Sequence, residues 1–251
     1  MKIVCVVAAR MVSTRLSGKS MMNILGKPML EHEIRRIQQS KLVDEIVIAT
    51  TTKKEDDVIV ELGDKLGISV YRGSSEDVLD RTLKAAKAVD GNIIVQINGD
   101  CPLIDPEVCD MVIKTYLDKR PDYACNSRLK ATFPTGFDTE VFSVKVLEEV
   151  DKLTNNKFDR EHVTLYIYEH PEKFKLLNVT APPELNRPDL RLTVDTIEDL
   201  ELVREIYKEL YKKNTYFSGK DIIELFNKKP ELKKINSHIK QKPARLEVMG
   251  E

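Results

Sequence analysis

The chain has 251 residues, of which 41% are hydrophobic and 32% are charged, and its net charge is −1. This balance is typical of a soluble protein of one or two domains. It excludes a strongly basic surface, so we expect neither nucleic acid nor a membrane as a partner. The four cysteines have no paired spacing, which predicts free thiols in a reducing compartment. Because we find neither an apolar run of membrane-spanning length nor a signal-peptide pattern, we expect a cytoplasmic protein.

The first half of the chain alternates short apolar runs with helical patterns. Apolar runs rich in β-branched residues predict strands at Ile3–Ala9, Ile46–Thr50 and Ile93–Ile97. Apolar residues at helical spacing predict helices at Pro28–Gln39, Glu55–Leu66, Glu76–Val89 and Pro106–Leu117. This alternation predicts an α/β fold, with a doubly wound, mostly parallel, Rossmann-like sheet and helices on both faces.

The pattern changes from about residue 126. The later elements are predicted as a half-exposed strand at Phe137–Phe142, a helix at Glu161–Tyr168, strands at Lys173–Val179 and Leu190–Val194, and helices at Thr196–Leu210 and Asp221–Phe226. We therefore expect one domain over residues 1–228 with an inserted α+β region at about 126–189. Residues 229–251 are rich in lysine and predict a loosely held basic tail.

A loop that follows the first predicted strand carries three cations among small hydroxyl residues. Arg10, Arg15 and Lys19 are close together in the sequence, and Ser13 lies between them. A triphosphate requires fixed cations and backbone N–H donors, and a loop of this kind supplies both. The spacing is not that of a Walker loop. The alternative is a solvated basic turn, which the position directly after a buried strand disfavours.

Two carboxylates that follow predicted strands are candidate metal ligands. Asp100 ends the segment Asn98-Gly99-Asp100, and Asp195 follows the run that ends at Val194. Ligands of an open α/β sheet bind beyond the carboxyl ends of its strands, where a carboxylate can hold Mg²⁺ against phosphate oxygens. Each residue also has a structural alternative. Asp100 could cap the helix that begins near Pro106, and Asp195 could be an ordinary helix N-cap.

Seven segments, in order over roughly the first 210 residues, resemble the cytidylyltransferase family that includes the acylneuraminate and KDO cytidylyltransferases. The branch that they resemble most is the spore-coat polysaccharide branch, often called SpsF-type. The segments are ARMVSTRLSGK at Ala9–Lys19, LGKPMLEHEIRRI at Leu25–Ile37, VDEIVIATT at Val43–Thr51, YRGSSEDVLDR at Tyr71–Arg81, INGDCPLIDPE at Ile97–Glu107, REHVTLYIY at Arg160–Tyr168 and LTVDTIEDLELV at Leu192–Val203.

The resemblance implies a fold and a reaction. The fold is that of the nucleotide-diphospho-sugar transferases, commonly a homodimer that assembles through the inserted region. The reaction transfers CMP from CTP to a sugar or sugar-like acid, with Mg²⁺ as cofactor and pyrophosphate as the second product. The implied partners are therefore CTP and a small sugar or acidic acceptor.

The resemblance also implies roles for individual residues. Arg10, Arg15 and Lys19 would grip the triphosphate, with Arg15 and Lys19 as catalytic cations. Asp100 and Asp195 would be catalytic as ligands of Mg²⁺. The residues expected to bind the nucleotide are Ala8, Ala9, Arg10, Ser13, Arg15, Lys19, Arg72, Asn98 and Gly99.

The acceptor pocket is predicted from the second half of the chain. Asp138 and Glu140 would project to the same side of a strand. Arg160 would bind a carboxylate or phosphate on the acceptor, with His162 beside it. A structural role fits the same residues equally well, since mixed-charge clusters often lie on helix surfaces and a histidine can be a packing residue.

Two other classes of protein are alternatives. A GT-A-type glycosyltransferase has a similar nucleotide-binding half, but it normally carries an Asp-x-Asp pair where this chain has Asn98-Gly99-Asp100. A non-catalytic nucleotide-sugar-binding protein is the second, because Val12 and Ser17 depart from the family pattern, whereas Arg15 and Lys19 are retained.

Overall fold

A seven-stranded sheet forms the centre of the protein in the computed structural model, which describes residues 1–13 and 15–240. The main strands are β1 (Ile3–Ala8), β4 (Glu45–Thr51), β5 (Ser69–Gly73), β6 (Ile93–Asn98), β7 (Tyr123–Cys125), β8 (Glu140–Ser143) and β9 (Leu176–Asn178). A separate small hairpin consists of β2 (Asn23–Ile24) and β3 (Lys27–Pro28). The order across the main sheet is β5-β4-β1-β6-β8-β7-β9.

The described α-helices cover both faces of this sheet. They are α1 (Met29–Ile37), α2 (Asp57–Leu66), α3 (Val78–Ala88), α4 (Pro106–Lys119), α5 (Val144–Leu153), α6 (Lys157–Glu161), α7 (Leu165–Glu169), α8 (Ile197–Leu210) and α9 (Gly219–Lys228). Helices α1, α2 and α4 pack in one apolar core, and α3, α5 and α7 pack in another. The predicted α/β fold with a mostly parallel sheet is confirmed.

The four strands β5, β4, β1 and β6 are parallel, and the first three predicted strands match β1, β4 and β6 to within one residue at each end. Their runs of valine, isoleucine and alanine are buried on both faces, as a sheet covered on both sides requires. Strands β5 and β7 were not predicted, because β5 is only half-buried and β7 has three residues. Sequence periodicity is weak in such short or partly exposed segments.

The region after residue 126 adds antiparallel strands to the parallel core. Strand β8 pairs antiparallel with both β6 and β7, so it lies inside the sheet and not at a half-exposed position. The predicted strand is present as β8, but Glu140, Val141 and Phe142 are all buried, so its predicted half-exposure is wrong. The predicted helix Glu161–Tyr168 is two short helices, α6 and α7. They are separated at Val163, whose φ of 54° does not continue a helix.

The predicted strand Leu190–Val194 is an extended segment with a single bridge, between Arg191 and Thr135. Leu190, Leu192 and Val194 are buried in a third core, with side chains of α8 and α9. The alternating apolar pattern therefore arises from burial against helices and not from a place in a sheet. The segment still points Asp195 towards the end of β6, because Val194 N–H donates to the Asp100 carbonyl at 2.8 Å.

The described part of the chain after Lys228 is more ordered than the predicted loose tail. Pro230–Ile235 forms a short 3-10 helix whose Leu232 is buried against the third core. Asn236 is also buried, and its side-chain amide donates to Asp199 Oδ1 at 2.8 Å and to the Arg191 carbonyl at 3.0 Å. Residues 241–251 of the predicted tail lie outside the described residues.

The order of strands fixes where a ligand can bind. From β1 the chain passes outward through β4 to β5, and then returns to the other side of β1 to form β6. The connections above β1 and β6 therefore lead in opposite directions and leave a crevice at their carboxyl ends. None of the described helices is long and apolar enough to span a membrane.

Candidate functional site

A cavity of about 320 Å³ lies in the crevice beyond the carboxyl ends of β1 and β6. Its lining residues are Ala8, Ala9, Arg10, Val12, Ser13, Arg15, Lys19, Ser20, Val78, Arg81, Asn98, Gly99, Asp100, Glu161, His162 and Asp195. Eight of the nine predicted nucleotide-binding residues are in this set, and so are both predicted metal ligands. The prediction that the strand ends meet at one site is therefore supported by the geometry.

The close approach of β1 and β6 depends on a glycine. A Cβ atom on Gly99 would lie 2.9 Å from the Ala8 carbonyl oxygen and 2.9 Å from the Ala9 Cβ. Both distances are shorter than van der Waals contact. The strand ends can therefore lie side by side at the floor of the cavity only because residue 99 has no side chain.

The basic loop after β1 is held at both of its ends. Met11 N–H donates to Asp56 at 2.7 Å, and Gly18 N–H donates to the Met11 carbonyl at 2.8 Å. Gly18 adopts a φ of 73°, which allows the chain to turn directly into the short 3-10 helix that begins with Lys19. The loop is thus closed on itself, and this places the Lys19 side chain beneath the cavity.

Lys19 joins the two predicted metal ligands. Its Nζ lies 2.8 Å from Asp100 Oδ2 and 2.9 Å from Asp195 Oδ1, and it also donates to the Val194 carbonyl at 2.8 Å. Burial lowers the pKa of Lys19, but the charges of Asp100 and Asp195 outweigh burial, and the pKa is raised overall. Lys19 therefore stays protonated and acts as the counterion of both carboxylates.

Asp195 is the most heavily paired carboxylate of the cavity. In addition to the Lys19 contact at Oδ1, its Oδ2 forms an ion pair of 2.8 Å with Arg15 and accepts from Arg191 at 2.8 Å. Burial raises its pKa, but the neighbouring cations outweigh burial and hold the pKa below 3.8. The N-cap of α8 is not Asp195 but Thr196, which forms a capping box with Asp199. The structural alternative for Asp195 is therefore wrong, and its side chain is available to the cavity.

The structural alternative for Asp100 is also wrong. Helix α4 is capped by Asp105, whose side chain accepts from Glu107 N–H and Val108 N–H. Asp100 instead directs Oδ2 to Lys19, and its main chain is fixed by Val194 N–H and by the Thr193 hydroxyl. The main chain at the end of β6 is thus held by hydrogen bonds, and the Asp100 carboxylate lies at the cavity.

Two of the charged cavity residues, Arg81 and Glu161, were not among the predicted site residues. Arg81 is 2% exposed and Glu161 is exposed, with one Oε1 3.9 Å from Arg10. A signal for Arg81 exists in the sequence, since helical spacing places it on the apolar face of α3 with Val78 and Ala85. A cation on a buried helix face is unusual enough to indicate a binding role.

Arg72, predicted near the base or the phosphates, does not line the cavity. Its guanidinium donates to the carbonyls of Thr51 and Lys53 and forms an ion pair of 2.7 Å with Asp57. Those partners use its donors to tie the end of β5 to the start of α2. Arg72 was predicted because it lies near the end of a strand. Its side chain is instead directed to Thr51, Lys53 and Asp57.

Of the predicted acceptor residues, only His162 lines the cavity. Glu140 is buried and accepts from the Tyr123 hydroxyl at 2.6 Å and from Arg128 at 2.9 Å. Asp138, on the loop before β8, accepts from Gly136 N–H at 3.0 Å, and burial raises its pKa. These contacts tie β8 and the loop before it to β7 and to Arg128, and they lie outside the cavity.

Arg160 also has internal partners. It pairs with Asp77 at 2.7 Å and with Asp151 at 2.7 Å, and so ties α6 to α3 and α5. His162, directly after α6, places its ring 4.4 Å from that of Phe158, and partial burial lowers its pKa below 6.5. Arg160 thus positions the end of α6, from which Glu161 and His162 reach the cavity.

The residues present fit a divalent cation that is shared with a substrate. Asp100 and Asp195 already converge on one cation, the Lys19 ammonium, and carboxylate oxygens are the ligands that Mg²⁺ prefers. No group of three or more histidine, cysteine, aspartate or glutamate side chains suited to a metal occurs within residues 1–13 and 15–240. An ion at this pair would therefore take its other ligands from water and substrate, as Mg²⁺ commonly does.

Comparisons with known proteins show the family of the chain. The family described as Cytidylyltransferase matches residues 4–222. The uncharacterized protein MJ1063 of Methanocaldococcus jannaschii is 40% identical over 98% of each chain. The spore coat polysaccharide biosynthesis protein SpsF of Bacillus subtilis is 34% identical over 91% of this chain and 95% of its own. A solved cytidylyltransferase of Leptospira borgpetersenii is 34% identical, with a TM-score of 0.88 over 97% of this chain and 100% of its own. The chain therefore belongs to the cytidylyltransferase family and is an enzyme of the nucleotidyltransferase class.

Proposed function

We propose that this enzyme transfers CMP from CTP to a sugar or sugar-like acid and releases pyrophosphate. The observation that carries the proposal is the position of Lys19, which bridges Asp100 and Asp195 at the cavity that Arg10 and Arg15 also line. Cations and carboxylates that alternate at a strand-end crevice suit a metal-bound triphosphate, because each phosphate oxygen meets a fixed charge.

In this reaction the enzyme mainly positions the two substrates and neutralises charge, and it forms no covalent bond to them. The acceptor oxygen attacks the α-phosphorus in line, and the bond to the leaving pyrophosphate breaks as the new P–O bond forms. Arg15 and Lys19 would stabilise the negative charge that grows on the pyrophosphate, and Arg10 would fix the polyphosphate chain. These groups lie on a loop whose main chain is held by hydrogen bonds at both ends.

We propose Mg²⁺ as the ion that Asp100 and Asp195 hold. When bound, it would supply Lewis-acid stabilisation of the phosphate oxygens. Lys19 must then leave at least one of the two carboxylates, and its ammonium becomes available to the phosphates of CTP. Exchange of counterions keeps the charge of the site balanced when both the ion and the nucleotide bind.

The acceptor is expected to bind on the side of the cavity formed by Glu161 and His162, which follow one another at the end of α6. Four cations and three carboxylates line the cavity: Arg10, Arg15, Lys19 and Arg81 against Asp100, Glu161 and Asp195. The cation excess favours an anionic acceptor. We also propose a homodimer formed through the inserted region, which sedimentation of the purified enzyme would test.

Pyrophosphate release with Mg²⁺ tests the proposed function. The enzyme is supplied with CTP, UTP, GTP or ATP and with a panel of acidic and phosphorylated sugars. We expect release with CTP and at least one acidic sugar. Asp100→Asn should lower kcat/KM by about a hundred-fold or more, since it weakens the metal site. Asp118→Asn, which changes an exposed aspartate of α4, is the matched control and should keep full activity. Transfer from a nucleotide-sugar without pyrophosphate release would contradict the proposal and favour a glycosyltransferase.

A further inference from the structure

Arg81 is a buried guanidinium that lacks a counterion. It lies on α3 and lines the cavity, yet only 2% of it is exposed. Its Nη1 donates to the Ser74 carbonyl at 2.5 Å, whereas its buried Nε has no hydrogen-bond partner. Among the described residues, no carboxylate oxygen forms an ion pair with it within 4.0 Å. A buried cation in this state destabilises a fold unless something else supplies the missing charge.

The two carboxylates that act on Arg81 most strongly are already engaged by other groups. Asp56 accepts from Met11 N–H at 2.7 Å and from the Thr51 hydroxyl. Asp77 accepts from Arg160 at 2.7 Å and from Asp80 N–H at 2.9 Å. Burial and the neighbouring Arg10 together lower the pKa of Arg81 to about 10. Arg81 therefore lies in an environment that disfavours its charge until an anion arrives.

The other cations of the cavity differ from Arg81 in this respect. Arg15 and Lys19 are within 2.9 Å of Asp195, and Arg10 is 3.9 Å from Glu161. The backbone next to Arg81 is also shaped around it, because a Cβ atom on Gly73 would lie 3.0 Å from Arg81 Cγ. The side chain is thus fixed in place at the cavity before any ligand binds.

We propose that Arg81 is a binding residue for the polyphosphate of the nucleotide and acts together with Arg10. Both guanidiniums line the cavity, and the charge of Arg10 disfavours that of Arg81, so a ligand with a dense negative charge offsets both. A triphosphate provides several charged oxygens, whereas a sugar carboxylate or a base carbonyl provides one group at most. The identity of that polyphosphate as CTP rests on the proposed function.

Binding of inorganic tripolyphosphate and of CTP, measured by calorimetry on the whole chain, tests this assignment. Arg81→Met keeps the aliphatic length and removes the charge. It should lower the affinity for both ligands by the same factor, roughly 10- to 100-fold, because a charged hydrogen bond to phosphate is lost in each case. Arg81→Lys keeps a point charge but loses the planar guanidinium, and it should lower the affinity for both ligands less than Arg81→Met does. The control is Lys84→Met, which removes an exposed cation from the same helix and should bind both ligands like the wild type.

The melting temperature without ligand gives a second readout that a structural residue would not share. Arg81→Met should melt at or above the wild-type temperature, because it removes an uncompensated buried charge. A melting temperature well below that of Lys84→Met would assign Arg81 a structural role and overturn the proposal.

The two ligands separate failure of this inference from failure of the proposed function. Unchanged affinity of Arg81→Met for tripolyphosphate, whether or not CTP binding weakens, would overturn the role of Arg81 and leave the proposed reaction standing. If instead Arg81→Met loses tripolyphosphate binding while the wild type shows no preference for CTP and no pyrophosphate release, Arg81 is a polyphosphate residue and the proposed reaction is wrong.

Discussion

Lys19 donates from its ammonium nitrogen to Asp100 Oδ2 at 2.8 Å, although the two residues are 81 positions apart in the chain. The same nitrogen reaches Asp195, so that one side chain, 12% exposed, neutralises two carboxylates from two different segments. The ammonium of Lys19, on the basic loop, therefore occupies the position between the two carboxylates where we propose that a metal ion binds. Several consequences can be measured.

Lys19→Met should destabilise the ligand-free protein and make it more responsive to divalent ions. Without the ammonium, Asp100 loses the cation that it pairs with, and Asp195 keeps only Arg15 and Arg191. We expect a loss of about 2–3 kcal/mol, which corresponds to a fall in Tm of roughly 4–12 °C for a chain of this size. Added Mg²⁺ or Mn²⁺ should restore more of the Tm in Lys19→Met than it adds to the wild type. An equal response of both proteins to the ion would show that the two carboxylates do not share a cation site.

The stability difference between Lys19→Met and the wild type should depend on pH. The folded-state pKa of Asp195 is depressed, so its ion pairs contribute stability above the ordinary value of 3.8 and lose it as pH falls through the folded pKa. Removing Lys19 raises that pKa and shrinks the contribution at neutral pH. Melting curves of the two proteins should therefore differ most near neutral pH and converge below 3.8. A gap in Tm that is constant across the pH range would contradict this assignment.

Asp195→Asn and Thr196→Ala should separate activity from helix capping. Thr196 and not Asp195 caps α8, so Thr196→Ala should cost about 1 kcal/mol of stability and leave pyrophosphate release close to that of the wild type. Asp195→Asn should instead lower kcat by about a hundred-fold, because it removes a charge that faces the reacting phosphates. Paired assays and melting curves check both. Loss of activity in Thr196→Ala at a temperature where it is fully folded would tie capping to catalysis and refute the separation.

His162 should titrate below 6.5 in the free enzyme and higher when an anion binds. Burial lowers its pKa, so its ring is neutral at pH 7, while an anionic ligand next to it favours the charged form. The ring C–H resonances, followed by NMR against pH with and without CTP, report this directly. His170 serves as the internal reference, since its Nδ1 lies 2.7 Å from the Tyr166 carbonyl and it does not line the cavity. A midpoint that does not move on addition of CTP or acceptor would place His162 outside the ligand's reach.

Gly99→Ala should weaken CTP binding more than an equally crowded substitution at the opposite end of β6. A Cβ at residue 99 meets the Ala8 carbonyl at 2.9 Å and forces the ends of β1 and β6 apart. At Gly91, which precedes β6, a Cβ meets the Ala86 carbonyl at 2.9 Å, far along the strand from the cavity. Both variants should lose Tm, but only Gly99→Ala should weaken CTP binding, by about ten-fold. Equal affinities in calorimetry would show that the strand separation does not set the site.

The parallel core was predictable because strong local patterns and tertiary burial agree there. The strands β1, β4 and β6 are continuous apolar runs, and the helices between them have one apolar face each, so the doubly wound sheet followed from spacing alone. Prediction failed where alternation arose for another reason. The run from Leu190 to Val194 buries alternate side chains against helices and has no neighbouring strand to pair with.

The candidate site was predictable to the extent that it lies at strand ends. Arg15, Lys19, Asp100 and Asp195 all follow apolar runs, and a parallel sheet brings such ends together. Arg81 lies inside a helix, where a cation is ordinarily a surface charge, and it was therefore not predicted, although it shares the apolar face of α3 with Val78 and Ala85. The partners of Arg72 and Arg160 depend on tertiary contacts with Asp57 and Asp77 that no local pattern reveals.

The 3-10 helix Pro230–Ile235 matters for how short a working version of this enzyme can be made. It delivers Asn236 to Asp199 and to the Arg191 carbonyl, and Arg191 in turn pairs with Asp195. A truncation after Lys228 would remove the Asn236 side-chain amide. Asp199 would then lose one of its hydrogen-bond donors, although it also pairs with Arg191 and takes part in the capping box of α8. Residues 230–236 thus support Asp195, the proposed metal ligand, through Arg191, and the smallest active fragment should extend at least to Asn236.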